Sequence, residues 1–177
     1  MKNSTTAPTV ERLHTVSEVD QQGLAEVLLD CVAGGASVGF MQPLARDKAL
    51  ALWRRIAEEV AQGQRALFVV RQGGAIVGSV QLVVDQPDNQ AHRADISKLL
   101  VHRSARRQGL GDALMQSAQA LARDQGKTLL VLDTASADAE RVYGRLGWQV
   151  CGVIPGYALM PDGVPCDTTY FYLQLKD

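Results

Sequence analysis

No sign of charge dominates this sequence, no apolar stretch in it is long, and its cysteines are few and scattered. Each absence removes a class of function. Eighteen Lys and Arg stand against 19 Asp and Glu, a formal net charge of −1. That balance gives no electrostatic footprint for nucleic acid or an anionic membrane, so a small ligand is the expected partner. No apolar run approaches the roughly 20 residues of a membrane helix. The opening Met1-Lys2-Asn3-Ser4-Thr5-Thr6-Ala7-Pro8 lacks the apolar segment of a secretory signal, and the expected location is the cytoplasm. Cys31, Cys151 and Cys166 are odd in number and show no C-x-x-C or Cys/His spacing suited to zinc or a disulfide framework. His14, His92 and His102 have no ligand companion at strand or helical spacing, so no metal is expected. No internal repeat or low-complexity segment points to a solenoid or a linker.

What the chain does contain is one core's worth of apolar sequence. With 177 residues and 46% hydrophobic content, it predicts a single domain over residues 9–177 behind a polar, disordered tail at 1–8. Val10 to His14 alternates like a strand. From Val19 to Ala33, Leu24, Val27, Leu28 and Cys31 recur at helical spacing up to Gly34-Gly35. A second helix fits Asp47 to Gln62, with Gly63 as its stop. Ala66–Val70 and Ala75–Val84 read as strands joined through Gly73-Gly74, a pair suited to the positive φ of a tight hairpin turn. Asp85 to Arg93 is a polar loop and Ala94 to Val101 a strand. Leu110, Ala113, Leu114, Ser117, Ala118 and Leu121 then follow the rhythm of a helix packed on a sheet. Thr128–Leu132 is a continuous apolar run, expected in a central strand buried on both faces. A short helix over Ser136–Leu146 and strands over Trp148–Ile154 and Thr168–Leu175, around a Pro/Gly-rich loop, complete the chain.

The most informative segment is Arg106-Arg107-Gln108-Gly109-Leu110-Gly111, set between a strand and a long helix. The first amides of a helix have no internal acceptors and lie at the positive end of its dipole, so they can hold phosphate oxygens. Glycine at 109 and 111 lets the backbone approach a bulky anion. A Walker loop would need Lys-Ser/Thr after its last glycine, and Gly111 is followed by Asp112-Ala113. A dinucleotide fingerprint would need glycine where Leu114 stands.

The pattern that fits is R/Q-x-x-G-x-G/A, followed about thirty residues on by Ala139-x-x-x-Tyr143-x-x-x-Gly147-Trp148. On these residues the chain resembles the GNAT acetyltransferase superfamily. Further pieces resemble a toxin-resistance branch of it: Gly34-Gly35-Ala36-Ser37-Val38-Gly39-Phe40-Met41, Lys98-Leu99, Leu132-Asp133-Thr134, Pro155-Gly156-Tyr157 and Pro161-Asp162-Gly163. The resemblance implies an α/β (α+β) GNAT fold: a mixed, mostly antiparallel seven-stranded sheet with about four helices on its two faces. It implies acetyl-CoA as acetyl donor and a small-molecule amine as acceptor, joined directly in a ternary complex. Two rivals stay open: a non-catalytic acyl-CoA sensor, and an acetyltransferase of protein N-termini or lysines. Oligomeric state, monomer or homodimer, is left open as well.

By the same resemblance Leu99, Leu100 and Val101 lie on a splayed strand that pairs with the pantetheine arm. Arg106, Arg107, Gln108, Gly109, Leu110, Gly111 and Asp112 line the pyrophosphate, with Asp112 turned away. An amine must lose a proton before it attacks a thioester, and the candidate bases are Asp95 and Asp133. Their plainer alternatives are substrate binding, a surface charge for Asp95 and a helix cap for Asp133. Tyr143 matches the tyrosine that GNAT enzymes set beside the thioester sulfur, a general acid, with core packing as the alternative. Phe40, Met41 and Tyr157 sit in Gly-rich loops suited to walls of a substrate pocket.

Overall fold

The computed structural model describes residues 8–175. Most of the tail assigned to 1–8 therefore lies outside the described residues, as do positions 176 and 177. Among the described residues the order is β1 (Val10–Leu13), α1 (Glu18–Ala33), α2 (Arg46–Ala61), β2 (Arg65–Gln72), β3 (Ala75–Val83), β4 (Arg93–Val101), α3 (Leu110–Asp124), β5 (Leu129–Thr134), α4 (Ala137–Arg145), β6 (Gln149–Leu159) and β7 (Pro165–Gln174). Single 3-10 turns lie at Asp88–Gln90 and Arg103–Ala105.

Local chemistry explains the boundaries. At the start of α1, the Ser17 hydroxyl accepts the Asp20 amide at 3.1 Å while the Asp20 carboxylate takes the Ser17 amide at 3.0 Å, a reciprocal cap. Arg71 donates to the same carboxylate at 2.6 Å and ties the helix start to the β2–β3 hairpin. In that hairpin Gly73 and Gly74 take φ of 57° and 85°, as a two-residue turn of the tight type demands.

The seven strands form one sheet in the order β1-β2-β3-β4-β5-β7-β6, antiparallel throughout except for β4 with β5. Helices cover it unequally. On one face Leu110, Leu114, Met115, Ala118 and Ala122 of α3 and Tyr143 of α4 pack on Ala94, Ile96, Leu130, Leu132 and Phe171. On the other, α1 and α2 pack on Leu13, Leu67, Val69, Ile76 and Leu100, which reaches only as far as β4.

That unequal cover corrects two expectations. β5 is buried on one face and not on both: Leu130 and Leu132 are buried, while Leu129 and Val131 on the opposite face are half-buried and Asp133 beside them is solvent-accessible but partly desolvated. Its apolar run packs under α3 and α4, and its other face opens into a cleft that α1 and α2 do not reach. The last two strands are also longer than expected, because Pro155 and Gly156 lie inside β6. Proline is tolerated there since β6 is the outer strand, where a missing amide breaks no ladder. The register slips between Ile154 and Ala158, and the Gly156 amide turns to the Asp167 carboxylate at 2.9 Å.

Candidate active site

The cleft begins where β4 and β5 separate. Their parallel pairing is limited to Arg93 with Leu129, Ala94 with Leu130 and Asp95 with Val131. Beyond Asp95, β4 keeps only β3 as a neighbour, and β5 only β7. The parting has a local cause. The β3–β4 register runs from Gln81 with Ser97 to Ser79 with Leu100, so Lys98 and Leu99 together oppose Val80. Lys98 takes φ of 52°, the left-handed region. A bulge of this kind bends and twists its strand, and here it turns the end of β4 away from β5. Leu99 and Val101 lean on the α3 core, Leu100 is buried against α1, and the Val101 carbonyl is engaged by the Arg106 guanidinium at 3.2 Å and the Cys31 thiol at 3.5 Å.

At the open end of β4 the chain makes its 3-10 turn and enters α3. Arg106 is extended, Arg107 takes φ of 61°, and Gly109, at 75°, caps the helix without any side chain bonded to its amides. The first internal bond of α3 runs from the Ala113 amide to the Gly109 carbonyl at 3.1 Å, leaving the amides of Leu110, Gly111 and Asp112 ahead of it. Leu110 is buried and anchors the turn, whereas Arg106, Arg107, Gln108 and Gly109 are exposed. Gln108 is tied to Gln72 at 2.8 Å, and Asp112 to Arg145 of α4 at 2.8 Å. A Cβ built on Gly109 would meet nothing within 4 Å. A left-handed, unsubstituted cap with unpaired amides and open space before it fits a diphosphate by the chemistry of its donors.

The candidate proton-transfer groups stand on opposite sides of the separated strands. Tyr143 belongs to the α3/α4 face, its ring 6.0 Å from that of Trp148 and 5.5 Å from that of Phe171. Its hydroxyl has no hydrogen-bond partner among the described residues, yet it is not among the fully enclosed polar atoms, so it looks out of the core. Burial, and secondly the Asp133 charge, hold this phenol well above the ordinary tyrosine range. Asp133 sits on the other face. Burial raises its carboxyl above the usual range, with the Lys98 charge opposing and the Asp95 charge adding. The cap of α4 is Ser136, whose hydroxyl accepts the Ala139 amide at 3.3 Å, so Asp133 is not the helix cap.

Asp95 shares that face but is committed elsewhere. It pairs with Arg93 on its own strand and accepts the Gln86 side-chain amide at 3.2 Å. Asp133, with no such partners among the described residues, is the freer of the two candidate carboxylates.

Two residues join the cleft that the sequence did not single out as functional. Tyr170 of β7 lies in register with Asp133, and its hydroxyl donates to that of Tyr157 at 3.0 Å, which pushes Tyr170 up to about 12. Lys98 reaches from the bulge to the Val38 carbonyl at 2.9 Å. The out-in-out alternation of Tyr170-Phe171-Tyr172 hinted at the first, and the Lys98-Leu99 piece of the resemblance, without a role attached, at the second. The loop after α1 forms the roof, joined to the β6–β7 hairpin by the Gln42 amide and the Pro161 carbonyl at 2.9 Å. In it Phe40 leans on the α1/α2 core beneath the Lys48 ammonium, and Met41 is exposed. Phe40 is thus partly a packing residue, while Tyr157 is half-exposed at the cleft rim. Among the described residues no cluster of three His, Cys, Asp or Glu could hold a metal ion.

The model of the acetyltransferase (GNAT) family matches residues 37–148. The chain belongs to that family and is a GNAT acetyltransferase. It is 35% identical over 127 residues to an uncharacterized N-acetyltransferase in the hisH-hisA intergenic region of Azospirillum brasilense, covering 71% of this chain and 74% of that one. Its fold is similar to the ribosomal-protein-alanine N-acetyltransferase of Brucella melitensis, with a TM-score of 0.80 at 18% identity over 94% of this chain and 99% of that one. It is equally similar, at 0.80 and 16% identity over 96% and 89%, to a phosphinothricin acetyltransferase of Sinorhizobium meliloti whose structure holds acetyl-CoA.

Proposed function

We propose that this acetyltransferase moves the acetyl group of acetyl-CoA directly to the amine of a small molecule in a ternary complex, in the cytoplasm. The observation that carries the reading is the parting of β4 and β5 beside the open amide turn before α3. The edge of β4 that β5 leaves beyond Asp95 suits an extended amide-bearing arm along Leu99–Val101, and the turn from Arg106 to Asp112 suits its diphosphate. Acetyl-CoA, when bound, supplies an acetyl thioester.

The chain's own residues do the rest. Asp133 faces the open side of the cleft, draws the acceptor ammonium in and takes its proton, directly or through water. Tyr143 faces the other side of the cleft with an unpartnered hydroxyl. A coenzyme thiol resembles cysteine at about 8.5, while a free phenol is near 10. With Tyr143 held higher still, early proton loss is unfavourable. Its role is a hydrogen bond to the sulfur that strengthens as charge develops and stabilises the leaving thiolate, which takes its proton as it is released to water.

The roof bond from Gln42 to Pro161 favours an enclosed small acceptor over an open peptide groove. In its toxin-resistance pieces the sequence resembles the tabtoxin resistance protein, which supports an amino-acid-like toxin or antibiotic as the proposed acceptor. Calorimetric titration with acetyl-CoA, followed by coenzyme A release with a panel of small amines and amino-acid analogues, tests the reading. Saturable binding and turnover of at least one amine are expected. Binding without turnover of any amine favours a sensor, and no binding removes the proposal.

A further inference from the structure

The geometry points to Lys98 as the residue by which the acceptor cleft recognises a carboxylate carried on the acceptor amine. The inference rests on the acetyl-transfer reading and adds to it a determinant of specificity on the acceptor side.

Lys98 is an unusual residue in an unusual conformation. It holds φ of 52° inside a strand. A left-handed residue with a side chain is a local strain of the kind found at ligand clamps. The bulge it forms with Leu99 swings its side chain under the roof loop. There its Nζ donates to the Val38 carbonyl at 2.9 Å, and a Cβ added at Gly39 would lie 3.9 Å from it. An ammonium carries three donors, and this bond uses one.

Of the other charges near it, most are engaged, with Arg55 and Arg65 sharing the Glu59 carboxylate. Asp95 is paired with Arg93, and Arg65 with Glu59 and Gln81. Two charges bordering the cleft, Lys98 and Asp133, have no ion-pair partner within 4.0 Å among the described residues, and they do not pair with each other. They stand on the two strands that part beyond the pair Asp95 with Val131, Lys98 on β4 and Asp133 on β5. Burial holds the Lys98 ammonium below the ordinary lysine range, so an arriving anion meets a cation that is poorly solvated and short of acceptors. One positive and one negative group, close but not in contact, complement a zwitterion. The acceptor's ammonium goes to Asp133 and its carboxylate to Lys98.

The test compares acceptors that differ only in the carboxylate: an amino acid that the enzyme acetylates and its carboxamide, each followed by coenzyme A release with the full chain. A hydrogen-bonded charge pair predicts a kcat/KM at least about tenfold higher for the acid. Lys98→Met is expected to bring the acid-to-amide ratio close to one, and Lys98→Arg to restore much of it. Equal use of acid and amide by the unmodified enzyme overturns the proposal without any variant, and leaves acetyl transfer standing. A Lys98→Met enzyme slowed on both acceptors in the same proportion also overturns it, because a strut that only holds the roof would act so. Normal acetyl-CoA binding with no amine turned over at all marks the failure of the acetyl-transfer reading, and this inference falls with it.

Discussion

The Arg145 guanidinium donates to the Asp112 carboxylate at 2.8 Å, joining α4 to the first turn of α3. A carboxylate suits the positive end of a helix dipole but repels a phosphate bound at the same end. Arg145 offsets that repulsion and keeps the side chain turned aside. Arg145→Ala should therefore weaken acetyl-CoA binding. The pair is solvent-accessible, with side chains 57% and 33% exposed. An exposed ion pair is worth up to about 1 kcal/mol, so the loss is expected to be no more than about fivefold, shrinking as salt is added. Calorimetry at low and high ionic strength checks it, and Asp112→Asn in the same background should restore affinity.

The two glycines of the phosphate turn answer different needs. Gly109 sits at φ of 75°, while Gly111 has an ordinary helical φ, and a Cβ there would meet Val142 at 3.6 Å, a normal contact. Gly109→Ala should cost about 1 kcal/mol of stability from left-handed strain and set a methyl group before the amides. Gly111→Ala should be neutral or stabilising by up to about 1 kcal/mol, as alanine is in a helix. Thermal unfolding separates the two variants. Acetyl-CoA titration should show a marked loss only for Gly109→Ala.

These glycines also show what was legible in the sequence. The turn could be read because its chemistry is local: glycine, position before a helix and spacing are all written in consecutive residues. The Gly73-Gly74 hairpin was legible for the same reason. The cleft was harder. That β5 is open on one face depends on where α1 and α2 end across the sheet, which no pattern in Thr128–Leu132 encodes. That Asp95 is occupied depends on Arg93 and Gln86 folding over it. Lys98 became visible as a cleft residue only once the β3–β4 register exposed the bulge.

Tyr143→Phe separates packing from chemistry. The ring sits between Trp148 and Phe171, and the hydroxyl has no partner among the described residues, so its removal leaves no buried polar group unpaired. The melting temperature and acetyl-CoA affinity should change little. Turnover should fall by about 10²- to 10⁴-fold, the usual worth of a positioned proton donor. Undiminished turnover would leave Tyr143 as a core residue.

Asp133 sets the last expectation, on both activity and stability. Its carboxyl is raised by burial, so the base form appears only as pH climbs beyond the ordinary aspartate value of about 3.9. The acidic limb of kcat/KM should lie above that value, and Asp133→Asn should remove it while lowering turnover by about 10²-fold or more. The same shift acts on folding with the opposite benefit. A carboxyl that binds its proton more tightly when folded contributes stability below its unfolded pKa, and this contribution is lost as pH rises through the folded value. At neutral pH the ionised, partly desolvated Asp133 is therefore a net cost to the fold, and Asp133→Asn should melt at a higher temperature than the unmodified protein. The gain should vanish in acid, where both side chains are uncharged. A cleft that trades stability for function predicts this pairing of a lost reaction with a firmer fold, whereas a surface aspartate with no role would change neither.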